Sequence, residues 1–312
     1  MKRIVWLSLF VLLFAACQKS DNNDRYLVFR FKFDPKQERL DSNGYASLAP
    51  GASLTPIVNS AASHYLELCQ GDSVPFKTGT VLFQGAETDS ATVDFSKCTI
   101  SKEGDVFFSI PLSMVTPGVY KWLRMSVVYE NIEIPVRLEN FTQNNLSFTG
   151  VFTGTLAGFL GYNNYIDNYT IKTATLNPSP KKQRQGLWTF ETTLGSAGYS
   201  FAPVTYTDKT QDKGNTFVNP YENKVRTPNG SCITTGLFYQ TKYNKIGEDP
   251  TFSVKPLTIT GKETESIVID CSLSTNKSVE WGERGSTNNF FEPFKGEPVI
   301  DMGFRGLNAI VK

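Results

Sequence analysis

The sequence predicts an all-β protein, an antiparallel β-sandwich of immunoglobulin-like or transthyretin-like type with long loops and few helices. Aromatic residues make up 13% of the 312 residues, with 23 Phe and 13 Tyr, and together with Val, Ile and Thr they favour strands. Several segments alternate apolar and polar side chains with a period of two, which is typical of a strand with one buried face. Arg25–Phe33 (RYLVFRFKF) is the first of them. The sequence shows no amphipathic helix of ordinary length and no internal repeat.

Further strands are expected along the whole chain, wherever β-branched and aromatic runs are bounded by Gly, Pro, Asn or Asp. Val119–Glu130 is the longest of these predicted strands, and Ile132–Leu138 is its expected hairpin partner, with an edge or a bulge at Pro135. Long loops are expected between residues 141 and 230. The other predicted strands are His64–Cys69, Thr80–Gln84, Ala91–Phe95, Val106–Ile110, Thr170–Leu176, Leu187–Thr192, Ser231–Tyr239, Leu257–Ile259, Ser266–Leu273, Ser278–Trp281 and Val299–Leu307.

The first residues of the chain predict export and lipidation. A basic start, Met1-Lys2-Arg3, precedes a short apolar run that ends in two small residues and Cys17, which is the pattern of a secretory signal. The run is shorter than the roughly 20 residues that a membrane-spanning helix needs. We therefore expect a lipoprotein signal peptide over residues 1–16, acylation of Cys17 into a lipid bilayer, and a flexible polar tether over residues 17–24. One body over 25–312 follows, with a division into two β-domains near residue 140 as the alternative.

The residues around Cys17 resemble the lipobox of bacterial lipoproteins, in which the thiol is diacylated before cleavage; Phe14 stands where Leu is usual. The acidic tether (QKSDNND) resembles the export signal of Bacteroidota outer-membrane lipoproteins. Phrases along most of the mature chain resemble an uncharacterised family of such lipoproteins: YLVFRFKFDPKQERLD, SHYLELCQG, SIPLSMVTPGVYKWLRMSVVYE, SCITTGLF, LTITGKETESIVIDCSLSTNKSVEW and VIDMGFRGL. The resemblance implies an outer-membrane lipoprotein, on the cell surface or the periplasmic face, with an all-β body and no known activity.

The order of an FxF strand, a PGxY strand and a late IVIDCSL strand is similar to that of β-sandwich lipoproteins of the methanobactin-partner type. Those proteins handle copper. This chain has one His and four Met, without a cluster of either, so the copper role has no residues here and we do not transfer it. We expect no metal centre of this kind and no cofactor.

Four cysteines remain beside Cys17: Cys69, Cys98, Cys232 and Cys271. An even number of cysteines in an exported chain favours disulfides. We expect the pairs Cys69–Cys98 and Cys232–Cys271, because each pair lies on nearby predicted strands. Free, buried thiols are the alternative.

Composition disfavours several functions. The 31 basic and 30 acidic residues nearly balance, so no strong field attracts nucleic acid, which we do not expect as a partner. His64 is the one candidate base, and no Gly-x-Ser-x-Gly motif occurs, so the parts of a Ser–His–Asp hydrolase are missing. We expect a protein that is not an enzyme. A glycan-active enzyme would need only two carboxylates, and its candidates are Glu191, Asp208, Asp212, Glu222, Glu263, Glu265, Asp270 and Asp301.

Two of these carboxylates, Asp270 and Asp301, are flanked by apolar residues on predicted strands. If either faces inward, it needs a partner such as Arg305, because a buried charge without one is costly. One loop is rich in side-chain oxygens that could suit calcium, from Asp208, Asp212 and Asn215. These residues lack the spacing of an EF-hand.

Aromatic residues in Asn-rich and Gly-rich segments are candidates for ligand contacts. Ring faces stack on sugars, and the same residue types form hot spots for protein partners; the alternative is that these rings cover the core. The candidates are Tyr162, Tyr165, Tyr169, Trp281, Phe290 and Phe291. The sequence therefore predicts a lipid-anchored cell-envelope protein with a non-catalytic binding or accessory role toward a glycan or an envelope protein. A carboxylate-based enzyme and a purely structural lipoprotein are the alternatives.

Overall fold

The computed structural model describes residues 25–49, 51–88, 92–161, 164–177, 182–183, 187–194, 204–209, 219–228, 231–242, 251–285 and 288–312. The prediction of an all-β fold is confirmed, since the regular structure of these residues consists of strands and three short 3-10 turns. The turns are Phe95–Lys97, Leu112–Met114 and Pro293–Lys295. No helix within these residues has the length and apolar character that crossing a bilayer requires. The predicted signal peptide, Cys17 and the tether lie outside the described residues.

The strands follow one another with short connections in much of the chain. Their bounds are β1 Tyr26–Asp34, β2 Ala52–Leu54, β3 Ile57–Ser63, β4 Tyr65–Cys69, β5 Thr80–Gln84, β6 Val93–Asp94, β7 Thr99–Ser101, β8 Val106–Pro111, β9 Gly118–Tyr120, β10 Trp122–Ser126, β11 Tyr129–Gln143, β12 Leu146–Phe159, β13 Asn164–Tyr165, β14 Tyr169–Thr170, β15 Thr175–Leu176, β16 Lys182–Gln183, β17 Leu187–Thr192, β18 Val204–Lys209, β19 Ile233–Lys242, β20 Thr251–Val254, β21 Leu257–Ile259, β22 Ile267–Ser274, β23 Val279–Trp281, β24 Val299–Asp301 and β25 Leu307–Val311.

The main sheet has the order β5-β4-β10-β19-β25-β22-β1-β8, with β20 beside β19. Its neighbours are antiparallel except for β1–β22 and β19–β25, which are parallel. The sheet curls until it is nearly barrel-shaped. Its two outer strands approach each other through stacked rings, because the centroids of Phe83 on β5 and Phe108 on β8 lie 4.9 Å apart.

The alternation that predicted the first strand sorts its side chains between the two faces of this sheet. Leu27, Phe29 and Phe31 are buried on the inside, at 0 to 1% exposure, whereas Arg30 and Lys32 lie on the outside. Inward rings pack directly on one another, as the 4.2 Å between the centroids of Phe31 and Phe107 shows. These aromatic side chains thus form part of the core of the main sheet.

A second sheet has the order β18-β17-β12-β11-β3-β7. Its centre is the long hairpin β11–β12, which turns at Asn144 and Asn145 with φ of 52° and 63°, as a two-residue hairpin turn requires. Residue 140 lies inside β11, at a bulge where Asn140 has a φ of 51°; the division near this residue stays a prediction. Residues of both sheets, such as Phe29 and Leu156, belong to one core cluster.

The predicted hairpin of Val119–Glu130 with Ile132–Leu138 is wrong. The chain instead passes from the main sheet to the second sheet between β10 and β11, and β11 pairs with β12. The N–H of Val127 donates to the carbonyl of Cys232, and that of Val128 to Ala62, at 2.8 and 2.9 Å. Alternation cannot show such a change of sheet, because the backbone stays extended through it.

Candidate functional site

A cleft of about 450 Å³ lies on the outer face of the main sheet. Its floor consists of Ser272 on β22, Asn308 and Ile310 on β25, and Tyr239 on β19. The segment that follows β1 covers the floor, from Asp34 to Gly44, and Tyr221 closes one side. We call this site the cleft.

Strand alternation explains why the floor residues share one face. Cys271 and Leu273, the neighbours of Ser272, are fully buried in the core, so the side chain of Ser272 points away from it. Register then aligns the floor, since Ser272 pairs with Asn308 across β22 and β25, and the parallel pairing of β19 with β25 places Tyr239 beside Ile310.

The segment over the cleft is held by its own polar side chains. The Asp34 carboxylate accepts the backbone N–H groups of Lys36 and Gln37 at 2.9 and 3.1 Å and the ammonium of Lys32 at 3.0 Å. Burial by itself would raise the pKa of Asp34, but these hydrogen bonds outweigh it and hold the pKa below its usual value. Asp34 is therefore ionised and already paired.

The far end of the covering segment packs on Tyr221. Gly44 has a φ of +80°, and a Cβ there would lie 3.0 Å from the carbonyl oxygen of Pro220 and 3.4 Å from the Tyr221 ring. Only glycine combines this backbone conformation with so close an approach. Tyr45 is 71% exposed and follows directly after Gly44, which lines the cleft.

Two tyrosine hydroxyls meet in the cleft. Tyr221 and Tyr239 are hydrogen-bonded to each other; burial, followed by the neighbouring Tyr239, raises the pKa of Tyr221 to about 12. Burial, together with the carboxylate of Glu38, also raises the pKa of Tyr239. Both tyrosines therefore stay neutral near pH 7 and offer hydroxyl groups that can donate and accept. The Tyr221 ring is fixed against Trp122, with the centroids 4.8 Å apart.

The floor contains an unsatisfied polar atom. Ser272 is fully buried, and its Oγ has no hydrogen-bond partner among the residues that the structure describes. Buried hydroxyls are nearly always paired, because an unpaired one loses its hydration without compensation. Ser272 lines the cleft, and its Oγ is a buried hydrogen-bonding group without a partner among the described residues.

The structure corrects the predicted set of ligand-contact aromatics. Trp281 and Phe291 are fully buried, with ring centroids 5.9 Å apart, and Tyr169 is 5% exposed and donates to Thr189 Oγ1 at 3.1 Å. These three rings cover the core, which was the alternative. Tyr165 and Phe290 are partly exposed and lie outside the cleft. Tyr162 is outside the described residues. An Asn-rich context indicates a turn but not the side to which a neighbouring ring folds.

The candidate calcium loop falls largely outside the described residues, which include Asp208 on β18 but neither Asp212 nor Asn215. Within the described residues, no group of three or more His, Cys, Asp or Glu side chains is placed to hold a metal ion. The calcium site stays a prediction.

The predicted disulfides Cys69–Cys98 and Cys232–Cys271 are not formed in the structure, where all four cysteines are free thiols. Cys69 packs in a small cluster with Trp122, whereas Cys98 packs against the main core. Strand β25 lies between β19 and β22, and neighbouring strands are about 4.8 Å apart, which already separates Cys232 from Cys271 beyond the usual Cα range of a disulfide. Burial raises the pKa of Cys69, Cys98 and Cys232 to about 12, so these thiols stay protonated.

His64 belongs to a hydrogen-bonded network, although its neighbours resemble a hydrolase triad. Its Nδ1 lies 3.2 Å from Ser126 Oγ, and its Nε2 lies 3.5 Å from Glu87 Oε1. The same Oγ accepts the backbone N–H groups of His64 and Tyr65 at 2.8 and 2.9 Å. Both lone pairs of this fully buried oxygen are therefore occupied, so Ser126 cannot attack a substrate. The network instead holds the bend between β3 and β4.

The two carboxylates singled out on predicted strands both have cationic partners. Asp301 is buried and pairs with Arg305, the partner expected for it, and Asp270 accepts from Arg30 at 2.9 and 2.7 Å. Burial raises the pKa of Asp301 to about 6 despite Arg305 and Arg39. Asp301 is 1% exposed and lines neither of the two described pockets.

Glu130 lies beside this ionic cluster and is fully enclosed. Neither of its carboxylate oxygens has a hydrogen-bond partner among the described residues. Burial, and then the charge of Asp301, raises its pKa well above the ordinary value. Glu130 and Asp301 form a carboxylate pair that lines neither described pocket, unlike the pair that a glycan-active enzyme needs.

No protein-family model, curated protein or solved structure matches this chain. The role of the cleft therefore rests on its own geometry. Sequence reasoning missed Tyr221, Tyr239, Ser272 and Asn308 as site residues. The available signal was the alternation of β22, which puts Ser272 on the polar face of its strand, but the sequence does not say which strands complete that face.

Proposed function

We propose that this chain is a lipid-anchored cell-envelope protein that binds a neutral, hydroxyl-rich ligand, a segment of glycan, in the cleft. The carrying observation is the buried Oγ of Ser272, which lines the cleft without a hydrogen-bond partner among the described residues. The lipid anchor at Cys17 and the outer-membrane location are part of the proposal and rest on the sequence pattern.

Neutral groups of the cleft support a sugar as the ligand. Its lining offers the hydroxyls of Tyr221, Tyr239 and Ser272 and the amide of Asn308, groups that both donate and accept. Asp34, Lys36 and Glu38 also line the cleft, and charged groups can bond sugar hydroxyls as well. Its volume is in the range of small-ligand pockets, about 300–1,000 Å³. Beside Gly44, Tyr45 adds an exposed ring against which the apolar face of a sugar can stack.

Binding without catalysis fits the state of Asp34, which lines the cleft together with Glu38. Asp34 is held ionised by three hydrogen bonds, so it is a poor proton donor at neutral pH. Its fixed position serves to keep the covering segment in place. The proposal is accordingly a binding or accessory protein.

A glycan array with the mature protein tests the proposal, followed by calorimetry with the best oligosaccharide. Asn308→Ala and Tyr45→Ala are expected to weaken binding at least several-fold, because they remove an amide and a stacking ring. Tyr26→Ala is the matched control, since Tyr26 is a partly exposed tyrosine at the opposite end of β1. No binding to any glycan, together with capture of a protein partner from the envelope, would replace the glycan by a protein ligand.

We also propose the finer architecture, in which the two sheets face each other as an immunoglobulin-like or transthyretin-like sandwich. The shared core cluster supports it, because inward residues of β1 and β22 belong to the same cluster as those of β11, β12 and β17. An experimental structure that shows a closed main barrel with the second sheet appended to it would overturn this arrangement.

A further inference from the structure

We propose that one end of the main sheet rests on the lipid surface, with Met114 and Val119 in contact with the bilayer. We call this end the entry face; it comprises residues 25–26, 112–119 and 256–266. The inference rests on the lipid anchor of the proposed function and adds an orientation and a second point of membrane contact.

The described chain begins at the entry face. The carbonyl of Arg25 accepts the N–H of Leu112 at 2.7 Å, and the N–H of Tyr26 donates to Ser266 Oγ at 2.9 Å. The turn at Leu112–Met114 and the turn before β22 therefore flank the point of entry. Eight residue steps separate Cys17 from Arg25, and each spans at most about 3.6 Å. An acylated Cys17 thus keeps the entry face within about 29 Å of its lipid.

Apolar side chains are exposed together at this end. Met114 is 70% exposed and Val119 55%, and Pro117 and Pro256 are also exposed in this part of the chain. Single exposed apolar residues are normal on a protein surface, but a group at one end indicates an interaction site.

Backbone contacts join these residues into one surface. Strands β9 and β21 pair so that Val119 lies opposite Thr258. A Cβ at Gly261 would lie 3.3 Å from the ring of Pro117. Val119 and Pro117 therefore lie on one continuous surface with β21 and the turn at Gly261.

The charges at the entry face suit the polar layer of a bilayer. Lys262 is exposed next to the apolar group, and a long basic side chain can lay its stem on apolar surface while its ammonium group reaches a lipid phosphate. Lys255 is exposed too, and its ammonium group donates to Gln240 Oε1 at 2.7 Å. The partly exposed carboxylate of Glu263 accepts from Thr260 Oγ1 at 2.8 Å. Arg25 adds a further positive charge and the exposed Glu265 a negative one.

The orientation is compatible with ligand binding at the cleft. Strand β1 runs from the entry face at Tyr26 to the cleft at Asp34, eight steps of about 3.3 Å or about 26 Å in all. An entry face on the lipid therefore leaves the covering segment of the cleft away from the bilayer and open to solution.

Methionine oxidation tests the contact with a native probe. Met114 is exposed, whereas Met125 and Met302 are buried at 0 and 2% exposure, so hydrogen peroxide should convert the Met114 thioether to sulfoxide selectively. The lipidated protein is reconstituted in phosphatidylethanolamine and phosphatidylglycerol vesicles, with a specific protease site inserted between Asn22 and Asn23. Sulfoxide at Met114 is measured by peptide mass spectrometry before and after the tether is cut.

We expect several-fold slower oxidation of Met114 before cleavage than after it. Leu48→Met provides the control, because Leu48 is 87% exposed and lies on the segment that leads away from the cleft; a methionine there should react at the same rate in both states. Val119→Asp should bring Met114 to the fast rate while the protein stays on the vesicles.

Equal rates for Met114 before and after cleavage, in protein that floats with the vesicles, would overturn the docking of the entry face and leave the lipid anchor intact. Protein that does not float with the vesicles would overturn the lipid anchor itself, and the orientation with it.

Discussion

Two fully buried serines, Ser126 and Ser272, differ in the hydrogen bonding of their hydroxyl oxygens. Ser126 Oγ accepts two backbone N–H groups, those of His64 and Tyr65, and joins the bend between β3 and β4. Ser272 Oγ lies on the floor of the cleft with no partner among the described residues. Both side chains are 0% exposed. The first serine is part of the scaffold, whereas the second has bonding capacity left for a ligand.

The polar side chains near Ser126 are paired in the same way as Ser126 itself. Near Ser126, the Arg124 guanidinium donates to Glu67 Oε2 at 2.8 Å and to the carbonyls of Pro75 and Val74. Glu67 also accepts from Tyr65 and from the N–H of Gly79, at 2.8 and 2.7 Å. Apart from the Arg124 Nε, this network is complete and ties down the loop before β5.

Glu130 shows that an unpaired polar group does not by itself indicate a ligand site. Its oxygens are unpaired like that of Ser272, but Glu130 lines neither described pocket, whereas Ser272 lines the cleft. An unpaired polar group therefore indicates a ligand site only where a cleft gives access to it; elsewhere it is a cost to stability.

The largest effect is expected at the paired network. Arg124→Met leaves the Glu67 carboxylate buried without its cation, so the free energy of unfolding should fall by about 3–5 kcal/mol. Urea denaturation measures this loss. Arg124→Met combined with Glu67→Leu should cost less than the single change, because no unpaired charge remains. A single change that costs as little as the double would show that the ion pair does not stabilise the loop.

Replacing Glu130 should act in the opposite direction. Glu130→Met removes two unpaired oxygens from an apolar setting and keeps a similar volume, so the protein should gain about 1–3 kcal/mol of stability. Glu130→Gln serves as the control, since it removes the titrating group but keeps a buried polar one, and should gain less. A loss of stability in Glu130→Met, seen in urea denaturation at pH 7, would mean that this carboxylate has a bonding role.

The contrast between the serines gives a smaller effect and a matched pair of variants. Ser126→Ala leaves two buried N–H groups unpaired and should cost about 1–3 kcal/mol. Ser272→Ala removes a hydroxyl without a partner, so its stability should stay within about 0.5 kcal/mol of the parent, while binding to the oligosaccharide weakens. Thermal and urea unfolding, with calorimetry on the same samples, separate the two outcomes. Equal stability losses would erase the distinction between scaffold and site.

The smallest effect concerns pH. Burial lowers the pKa of His64, against the opposing effect of Glu87, so the folded protein holds this ring neutral at a pH where the unfolded chain binds a proton. Stability from His64 is therefore fully present above about pH 6.5 and is lost as pH falls through the lower folded pKa. His64→Gln should flatten this part of the profile of unfolding free energy against pH. Asp301, whose pKa is raised to about 6, contributes the opposite slope in the parent and in His64→Gln alike. An unchanged profile in His64→Gln would show that His64 does not cause this pH dependence.

The sequence predicted the parts of the fold that depend on neighbours along the chain. Alternation located β1 and β22 because burial on one face repeats every second residue. The pairing of these strands joins residues about 240 apart, such as Arg30 and Asp270, and is parallel where an antiparallel arrangement was expected. No local pattern encodes such a pairing, and the change of sheet after Ser126 was missed for the same reason.

The candidate site was less predictable than the fold. The cleft combines Asp34, Tyr221, Tyr239, Ser272 and Asn308, which only the strand order brings together. Aromatic residues in loops were the signal used, but Trp281 and Phe291 complete the core. Exposure separates binding aromatics from core aromatics, and exposure is a property of the assembled sheets.

Hydrogen exchange of the backbone amides, measured with and without a bound oligosaccharide, shows most directly whether the cleft is the ligand site. A ligand in the cleft should slow exchange in residues 34–45 and around Tyr239, while the loop tied down by Arg124 stays unchanged. This result would confirm the cleft as the ligand site. Protection confined to the loop before β5 or to the β11–β12 hairpin, with none over residues 34–45, would show that the ligand does not bind in the cleft.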